Sequence, residues 1–262
     1  MTRIITGGVL LAVVLGLLFW PNNQPFAIFL FLLGLMGLYE FGRLMGEFKP
    51  WLFVAQALGF AVVLWGILKG SFPVTVSGFA LPLVLEGAAV VLSWEEPTPS
   101  LLPIATTGAA GVAYLGVPLA IALMLKGSHQ GMVHLLAVAA AIWVGDTAAY
   151  YGGRRFGVRA LHPASPKKTW EGTLCGLVGG GVAAGLVASI GGLVPFWWGL
   201  LGGLAINAIG QVGDLFESFL KRRVGVKDSG SVFPGHGGVL DRIDSLLFAL
   251  PCSLLLLPTY WR

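Results

Sequence analysis

Long apolar runs separated by short polar turns dominate this sequence and limit the folds that it can adopt. A helical run of about 20 apolar residues spans the hydrocarbon core of a bilayer. The chain of 262 residues is 56% hydrophobic and only 11% charged, which is typical of a polytopic membrane protein. We predict an all-α integral membrane helical bundle of about nine transmembrane helices, near residues 3–20, 25–45, 51–68, 72–92, 101–125, 131–151, 170–190, 194–214 and 243–261.

The first apolar run has the length of a signal peptide, but we interpret it as a membrane anchor. The residues that follow it, Trp20-Pro21-Asn22-Asn23, offer no small-residue cleavage site. With nine spans, 13 of the 16 Lys and Arg residues fall on the side that carries the N-terminus. The positive-inside rule places that side in the cytoplasm. The charge pattern therefore predicts a multi-pass protein of the cytoplasmic (inner) membrane whose polar face meets the cytosol.

The longest polar interval, residues 210–245, lies between the last two apolar runs. Ionisable groups at a membrane boundary are costly unless they are solvated, paired or bound to an ion, so this interval predicts a functional site. A solvated loop whose basic residues only set the topology is the alternative. Topology requires neither the interleaved aspartates nor the Pro-Gly-His-Gly-Gly turn at 234–238, so we favour a site.

Carboxylates from several predicted spans fall at one depth, near the cytoplasmic ends. Such an arrangement suits a cation site built from hard oxygen ligands. Two further acids, Glu40 and Glu86, fall in the cytoplasmic halves of spans 2 and 4, where they either line a cavity or reach water at the interface. For Asp146, the alternative is a helix-terminal aspartate that only pairs with Arg154. The candidate metal ligands are Asp146, Asp214, Asp241 and Asp244.

The polar segment before span 7 has the composition of an anion site. Ser165, Lys167, Lys168 and Thr169 supply two ammonium groups and two hydroxyls immediately before a predicted helix start. The free N–H groups of that helix start add partial positive charge. Contact with anionic lipid at the membrane surface is the alternative, and both readings hold if the substrate is an anionic lipid. Within span 7, a stripe of small residues at 172, 176, 180 and 184 indicates close helix packing.

The polar interval resembles the signature of the phosphatidate cytidylyltransferases, also called CDP-diacylglycerol synthases. The matching residues are Ser218-Phe219-Leu220-Lys221-Arg222, then Lys227-Asp228-Ser229-Gly230, then Pro234-Gly235-His236-Gly237-Gly238-Val239-Leu240-Asp241-Arg242-Ile243-Asp244. A motif this long and this polar is far more specific than a lone glycine pattern. The resemblance covers roughly residues 140–247, whereas residues 1–125 resemble the family only as a set of apolar spans.

The resemblance implies that the lipid phosphate of phosphatidic acid attacks the α-phosphate of CTP, giving CDP-diacylglycerol and pyrophosphate with magnesium required. Whether a monovalent cation joins the magnesium is left open. Phosphoryl-type transfer depends mainly on positioning and on charge neutralisation by metal ions and Lys or Arg. The resemblance further implies a homodimer, with membrane lipid and no nucleic acid as partners. It also implies an N-terminal scaffold over residues 1–125 and a catalytic region over residues 126–262.

Each polar residue of the signature receives an expected role. We expect Asp214, Asp241 and Asp244, with Asp146, to hold the metal. His236 either donates to the leaving pyrophosphate or braces its turn, and Asp228 orients Lys227. The substrate-binding residues that we expect to hold phosphates are Ser165, Lys167, Lys168, Thr169, Ser218, Lys221, Arg222, Lys227 and Arg242.

Two other classes of membrane protein fit the sequence less well. The CDP-alcohol phosphotransferases carry Asp-Gly-x-x-Ala-Arg followed by Gly-x-x-x-Asp-x-x-x-Asp, and no such run occurs in this sequence. A transporter would place charges near the middle of the bilayer and would repeat one half of the chain in the other. Here the charges collect at one face and the first half contains no copy of the second.

Overall fold

Nine α-helices and one short hairpin make up the part of the chain that the computed structural model describes, residues 2–46, 50–92, 101–230 and 237–256. The helices are α1 (Thr2–Phe19), α2 (Asn23–Leu44), α3 (Pro50–Leu68), α4 (Phe72–Leu92), α5 (Leu101–Lys126), α6 (Gly131–Phe156), α7 (Trp170–Ile190), α8 (Phe196–Arg223) and α9 (Leu240–Leu256). The strands β1 (Ala160–His162) and β2 (Ser165–Thr169) pair between α6 and α7.

The predicted helical membrane fold is confirmed. Every predicted apolar run corresponds to one helix, with ends that differ by a few residues at most positions. Among the residues that the structure describes, six segments are long and apolar enough to cross a membrane: Asn23–Leu44, Pro50–Leu68, Gly108–Lys126, Gly131–Phe156, Trp170–Ile190 and Phe196–Arg223. A shorter apolar stretch lies at Phe72–Ala88.

Two helices are longer than their apolar runs indicate. Helix α6 continues to Phe156 and α8 continues to Arg223, so polar residues that we expected in loops are helical. Residues such as Glu, Lys and Arg are good helix formers, and basic side chains in a last turn complement the helix dipole. The length of the apolar run therefore underestimates the length of both helices.

The hairpin is the one regular element of the described chain that the sequence did not predict. Its strands are antiparallel, with Ala160 opposite Thr169 and His162 opposite Ser165. The segment Ser-Pro-Lys-Lys-Thr lacks the alternation of apolar and polar residues that marks a half-buried strand. Both strands are edges, which is where a proline such as Pro166 is tolerated.

The chain divides into two compact units, Met1–Met124 with Asp228–Asp241, and Leu125–Lys227 with Arg242–Arg262. In the first unit, α3 packs closely against α4 because Gly59 and Gly78 face each other without side chains. Its most buried side chains include Leu38, Phe60 and Leu115. The functional roles predicted for residues 1–125 and 126–262 stay a prediction.

Glycines also set the packing of the second unit. Gly172, Gly176 and Gly180 of α7 lie directly against the backbone of α6, so a side chain at any of them would collide. Ala184 of the same stripe is completely buried and lies against Gly203 of α8. The small-residue stripe is therefore a packing surface, as the sequence predicted.

Candidate active site

Four acidic side chains from three helices lie close together in the second unit. Asp146 on α6 lies within electrostatic range of Asp214 on α8. Asp244 on α9 lies within electrostatic range of Asp214 and of Glu217, a second acidic residue of α8. Three of the predicted metal ligands, from three separate helices, are thus brought together in one unit.

Two lysines neutralise part of this negative charge. The Lys168 Nζ atom lies 2.5 Å from Asp214 Oδ2, and the Lys221 Nζ atom lies 2.7 Å from Glu217 Oε2. We call these six residues the acid–lysine cluster. With every group ionised, its four carboxylates and two ammonium groups leave a formal charge of −2. One divalent cation has the charge that cancels this excess.

The donor set of the cluster fits magnesium. Two carboxyl groups within electrostatic range, as in Asp244 and Glu217, repel each other unless a proton or a cation is held with them. Within the described residues, no three His, Cys, Asp or Glu side chains converge as a complete metal site. Magnesium is commonly held by one or two carboxylates and completes its shell with water and substrate phosphates. The cluster therefore suits a metal ion that binds together with a nucleotide.

The hairpin and the start of α7 fix the position of Lys168. The Thr169 hydroxyl accepts a hydrogen bond from the Gly172 N–H at 3.1 Å and so caps α7. The Glu171 carboxylate accepts the N–H groups of Val158 and Arg159, at 3.0 and 3.3 Å, just before β1 begins. Both ends of the hairpin are thus tied to the first turn of α7, which presents Lys168 to Asp214.

A buried polar network fixes the rotation of α8 one turn before Asp214. The Asn207 amide donates to the Ala141 carbonyl of α6 at 2.8 Å, and the Gln211 amide donates to the Asn207 side chain at 2.7 Å. A side chain at Gly145 would collide with the Asn207 amide, so α6 must be small there. A satisfied buried network of this kind makes a helix interface rigid.

The predicted phosphate-binding residues fall into two groups. Lys168 and Lys221 belong to the cluster, and Lys221 is only 9% exposed. Ser165 and Thr169 are half-buried on β2, and the Ser218 hydroxyl donates to Asp214 at 3.4 Å. The exposed basic residues are Lys167, Arg222, Lys227 and Arg242. Asp228 is also exposed, and His236 lies outside the described residues. Their roles towards substrate stay predictions.

The fourth predicted ligand, Asp241, belongs to the first unit. Its Oδ2 atom accepts hydrogen bonds from the Ser229 N–H at 3.0 Å and from the Gly238 N–H at 2.7 Å, and the Ser229 hydroxyl oxygen lies 3.0 Å from it. These contacts hold one oxygen of the carboxylate in a fixed position at the start of α9. The metal-binding role of Asp241 stays a prediction.

Sequence reasoning assigned no role to two buried acids that contact the signature. Glu217 is 1% exposed, and its spacing of four residues from Lys221 is the helical ion-pair spacing that could have identified it. Glu40 is 2% exposed and accepts hydrogen bonds from Ser229, Val239 and Leu240. Glu40 could have been identified as a lone carboxylate inside an apolar run, because a carboxylate at that position destabilises the protein unless it has partners.

Comparison with known proteins gives a consistent result across the chain. A sequence profile described as the Cytidylyltransferase family matches residues 1–260. The chain is 35% identical to the phosphatidate cytidylyltransferase of Brucella suis over 257 residues, covering 95% of this chain and 89% of that one. It is 33% identical to the enzyme of the same name from Bacillus subtilis, covering 98% and 97% of the two chains. The Pseudomonas aeruginosa enzyme of that name is 36% identical, with coverage of 97% and 96%.

Proposed function

The chain belongs to the cytidylyltransferase family, and from this premise we propose that it transfers the cytidylyl group of CTP to phosphatidic acid. The enzyme is a nucleotidyltransferase embedded in the membrane by its apolar helices. The products of the proposed reaction are CDP-diacylglycerol and pyrophosphate. This substrate pair is supported by relatives named phosphatidate cytidylyltransferase, to which the chain is similar over nearly their whole length.

The bonds that change define what the protein must do. An oxygen of the lipid phosphate forms a new bond to the α-phosphorus of CTP. The bond from that phosphorus to the oxygen bridging to the β-phosphate breaks, and pyrophosphate leaves with the electron pair. A phosphate monoester is already an anionic nucleophile, so the site needs no residue that removes a proton from it. The main requirements are in-line positioning and neutralisation of the charge on both substrates.

The acid–lysine cluster is the single structural observation that carries this proposal. Asp214 and Asp244, with Asp146 beside them, are the residues that would hold magnesium in this unit. The ion would supply positive charge to the phosphates of CTP and to the departing pyrophosphate. Asp241 remains a fourth candidate ligand from the sequence, and a second, monovalent cation remains open.

Lys168 has two roles in the proposal. Its ammonium group neutralises Asp214 in the absence of substrate, at a distance of 2.5 Å. If Asp214 held a metal ion, the same ammonium group would be available to bind a phosphate oxygen. The exposed basic residues Lys167, Arg222, Lys227 and Arg242 supply further positive charge for the lipid headgroup and for the triphosphate. Lys221 contributes by keeping Glu217 neutralised, and it contacts phosphate only if that ion pair opens.

The decisive experiment follows two differently labelled nucleotides. The protein purified in detergent is incubated with phosphatidic acid, magnesium and CTP labelled at either the α- or the γ-phosphate. We expect the α-label to enter the lipid phase and the γ-label to remain in water as pyrophosphate, with lipid labelling and pyrophosphate release both abolished by EDTA. Diacylglycerol in place of phosphatidic acid should receive no α-label, because it lacks the attacking phosphate. Failure of the α-label to reach lipid, with lipid and metal varied, would contradict the proposal.

The proposal also includes a location and an assembly. Excess basic residues on one side favour the cytoplasmic membrane with the active site facing the cytosol, where CTP is made available. Bacterial relatives with this name support the inner membrane. A homodimer is proposed from the family resemblance alone, and crosslinking of the protein in its native membrane tests it.

A further inference from the structure

Glu40, a residue of α2, lies far from the signature in sequence but contacts it directly. Its side chain is 2% exposed and is surrounded by the residues that lead into α9. A buried carboxylate without hydrogen-bond donors would be strongly destabilising. Glu40 obtains its donors from residues 189 to 200 positions later in the chain. This contact joins a largely apolar helix to the polar signature within the first unit.

The carboxylate of Glu40 caps the N-terminus of α9. Its Oε1 atom accepts the Val239 N–H and its Oε2 atom accepts the Leu240 N–H, each at 2.9 Å. The first N–H groups of a helix have no acceptor within the helix, so an outside acceptor fixes where the helix begins. A negative charge at this end also interacts favourably with the helix dipole.

Ser229 connects the cap to Asp241. Its hydroxyl lies 3.0 Å from Glu40 Oε2 and 3.0 Å from Asp241 Oδ2, so it bridges a carboxylate of α2 and one of α9. A hydroxyl has a single proton to donate, and the Ser229 N–H supplies the second link to Asp241 at 3.0 Å. The two carboxylates are therefore held in a fixed relation by one residue of the signature.

Two glycines of the signature have a physical explanation in this arrangement. A side chain at Gly230 would collide with the Glu40 carboxylate, and one at Gly238 would collide with both Glu40 and the Ser229 hydroxyl. The backbone must approach the buried carboxylate closely at both points, which only glycine permits. The local sequence is thus shaped around Glu40.

We propose that Glu40 is a positioning residue for the cytidylyl transfer, which sets the geometry of Asp241 through Ser229 and the capped start of α9. The inference rests on the proposed function for its catalytic consequence. Its structural basis is independent of that function, because the capping contacts stand whatever reaction the site performs. The alternative is a buried acid that contributes to folding alone.

Glu86 offers a matched control for that alternative. It is also completely buried in the first unit, but it lies on α4 against Gly108 of α5 and away from the contacts described for the signature. Replacing either acid by glutamine removes one buried carboxyl group with almost no change of volume. In Glu40→Gln an amide NH₂ must face a backbone N–H of α9, so one capping bond is lost.

The experiment compares Glu40→Gln, Glu86→Gln and Ser229→Ala in the full-length protein with the wild type. We expect Glu40→Gln and Ser229→Ala to lower kcat by about 10- to 100-fold, the loss expected for hydrogen bonds to a charged group. We also expect both to need more magnesium for half-maximal rate, with the KM for phosphatidic acid unchanged. Glu86→Gln should retain the wild-type rate and magnesium dependence.

Hydrogen–deuterium exchange gives a readout that does not depend on turnover. In Glu40→Gln, the peptide covering residues 237–244 should exchange faster, whereas in Glu86→Gln it should exchange as in the wild type. Equal exchange and equal kinetics in the two glutamine variants would overturn the inference. If Glu40→Gln does not fold, a wild-type rate in Ser229→Ala would overturn it. An inactive wild type would contradict the proposed function instead, and the exchange data would still decide the role of Glu40.

Discussion

At the scale of single residues, the proximity of Asp244 and Glu217 supports the proposal that the protein holds a cation. The two carboxyl groups lie within electrostatic range of each other, and Glu217 is 1% exposed. Repulsion between two such carboxyl groups destabilises the folded protein unless a proton or a cation is bound with them. Functional sites commonly carry a local destabilisation of this kind.

This cost predicts that Asp244→Asn separates stability from activity. Replacing the Asp244 carboxyl by an amide lets it donate to Glu217, so we expect the free energy of unfolding to rise by about 1 kcal/mol and Tm by about 2–4 °C. Turnover should fall to near background because a predicted metal ligand is lost. Thermal unfolding in detergent and the CTP assay measure the two effects. A lower Tm together with near-normal turnover would contradict the role given to this residue.

Lys168 gives a second prediction at this scale. Without its ammonium group the cluster is more negative, so Lys168→Ala should bind Mn²⁺ more tightly in the absence of CTP. The same variant should lose about 10- to 100-fold in kcat/KM, because a charge-assisted contact to phosphate is gone. Mn²⁺ binding followed by electron paramagnetic resonance tests the first effect. Lys167→Ala, on the exposed neighbour in β2, should leave Mn²⁺ binding unchanged. Weaker Mn²⁺ binding in Lys168→Ala would refute this account.

At the scale of elements, the sequence predicts which segments are helical but not which polar residues pair. Apolar runs locate every helix because a bilayer demands about 20 such residues. The ends of α6 and α8 were missed because good helix formers continue the helix beyond the apolar run. The hairpin was missed because its strands are short and lack alternation.

The candidate site divides in the same way. Asp146, Asp214 and Asp244 could be predicted because carboxylates at span ends are rare and fall at one depth. Lys221 was expected to bind phosphate, but its ammonium group pairs with Glu217 one turn earlier. Residue spacing alone does not predict which of the two partners the ammonium group binds. The capping role of Glu40 depends on a contact between residues 200 positions apart, which no local pattern encodes.

The contact between α6 and α8 is tested by a single methyl group. In Gly145→Ala the new Cβ would collide with the Asn207 amide, which bridges to the Ala141 carbonyl. We expect a loss of about 1–3 kcal/mol in the free energy of unfolding, seen as a lower Tm. Gly87→Ala is the control, because its Cβ would meet no atom of the described residues within 4 Å. Equal Tm values for the two variants would show that this interface is not tightly packed.

At the scale of the whole molecule, the charge asymmetry predicts one orientation in the membrane. Lys227→Cys and Lys69→Cys place a thiol at exposed positions that fall on opposite sides of the predicted topology. In intact inner-membrane spheroplasts, a membrane-impermeant maleimide should label Lys69→Cys only. Permeabilisation should add labelling of Lys227→Cys. The reverse pattern would place the candidate site outside the cell, where CTP is absent.

The most direct test of the account locates the metal ion itself. Crystals of the full-length protein grown with CTP and Mn²⁺ in place of magnesium would reveal the ion by anomalous scattering. We predict a peak about 2.1 Å from carboxylate oxygens of both Asp214 and Asp244, with CTP phosphate oxygens completing its shell. A peak bound to the nucleotide but to neither aspartate would contradict the claim that these helices assemble the catalytic metal site.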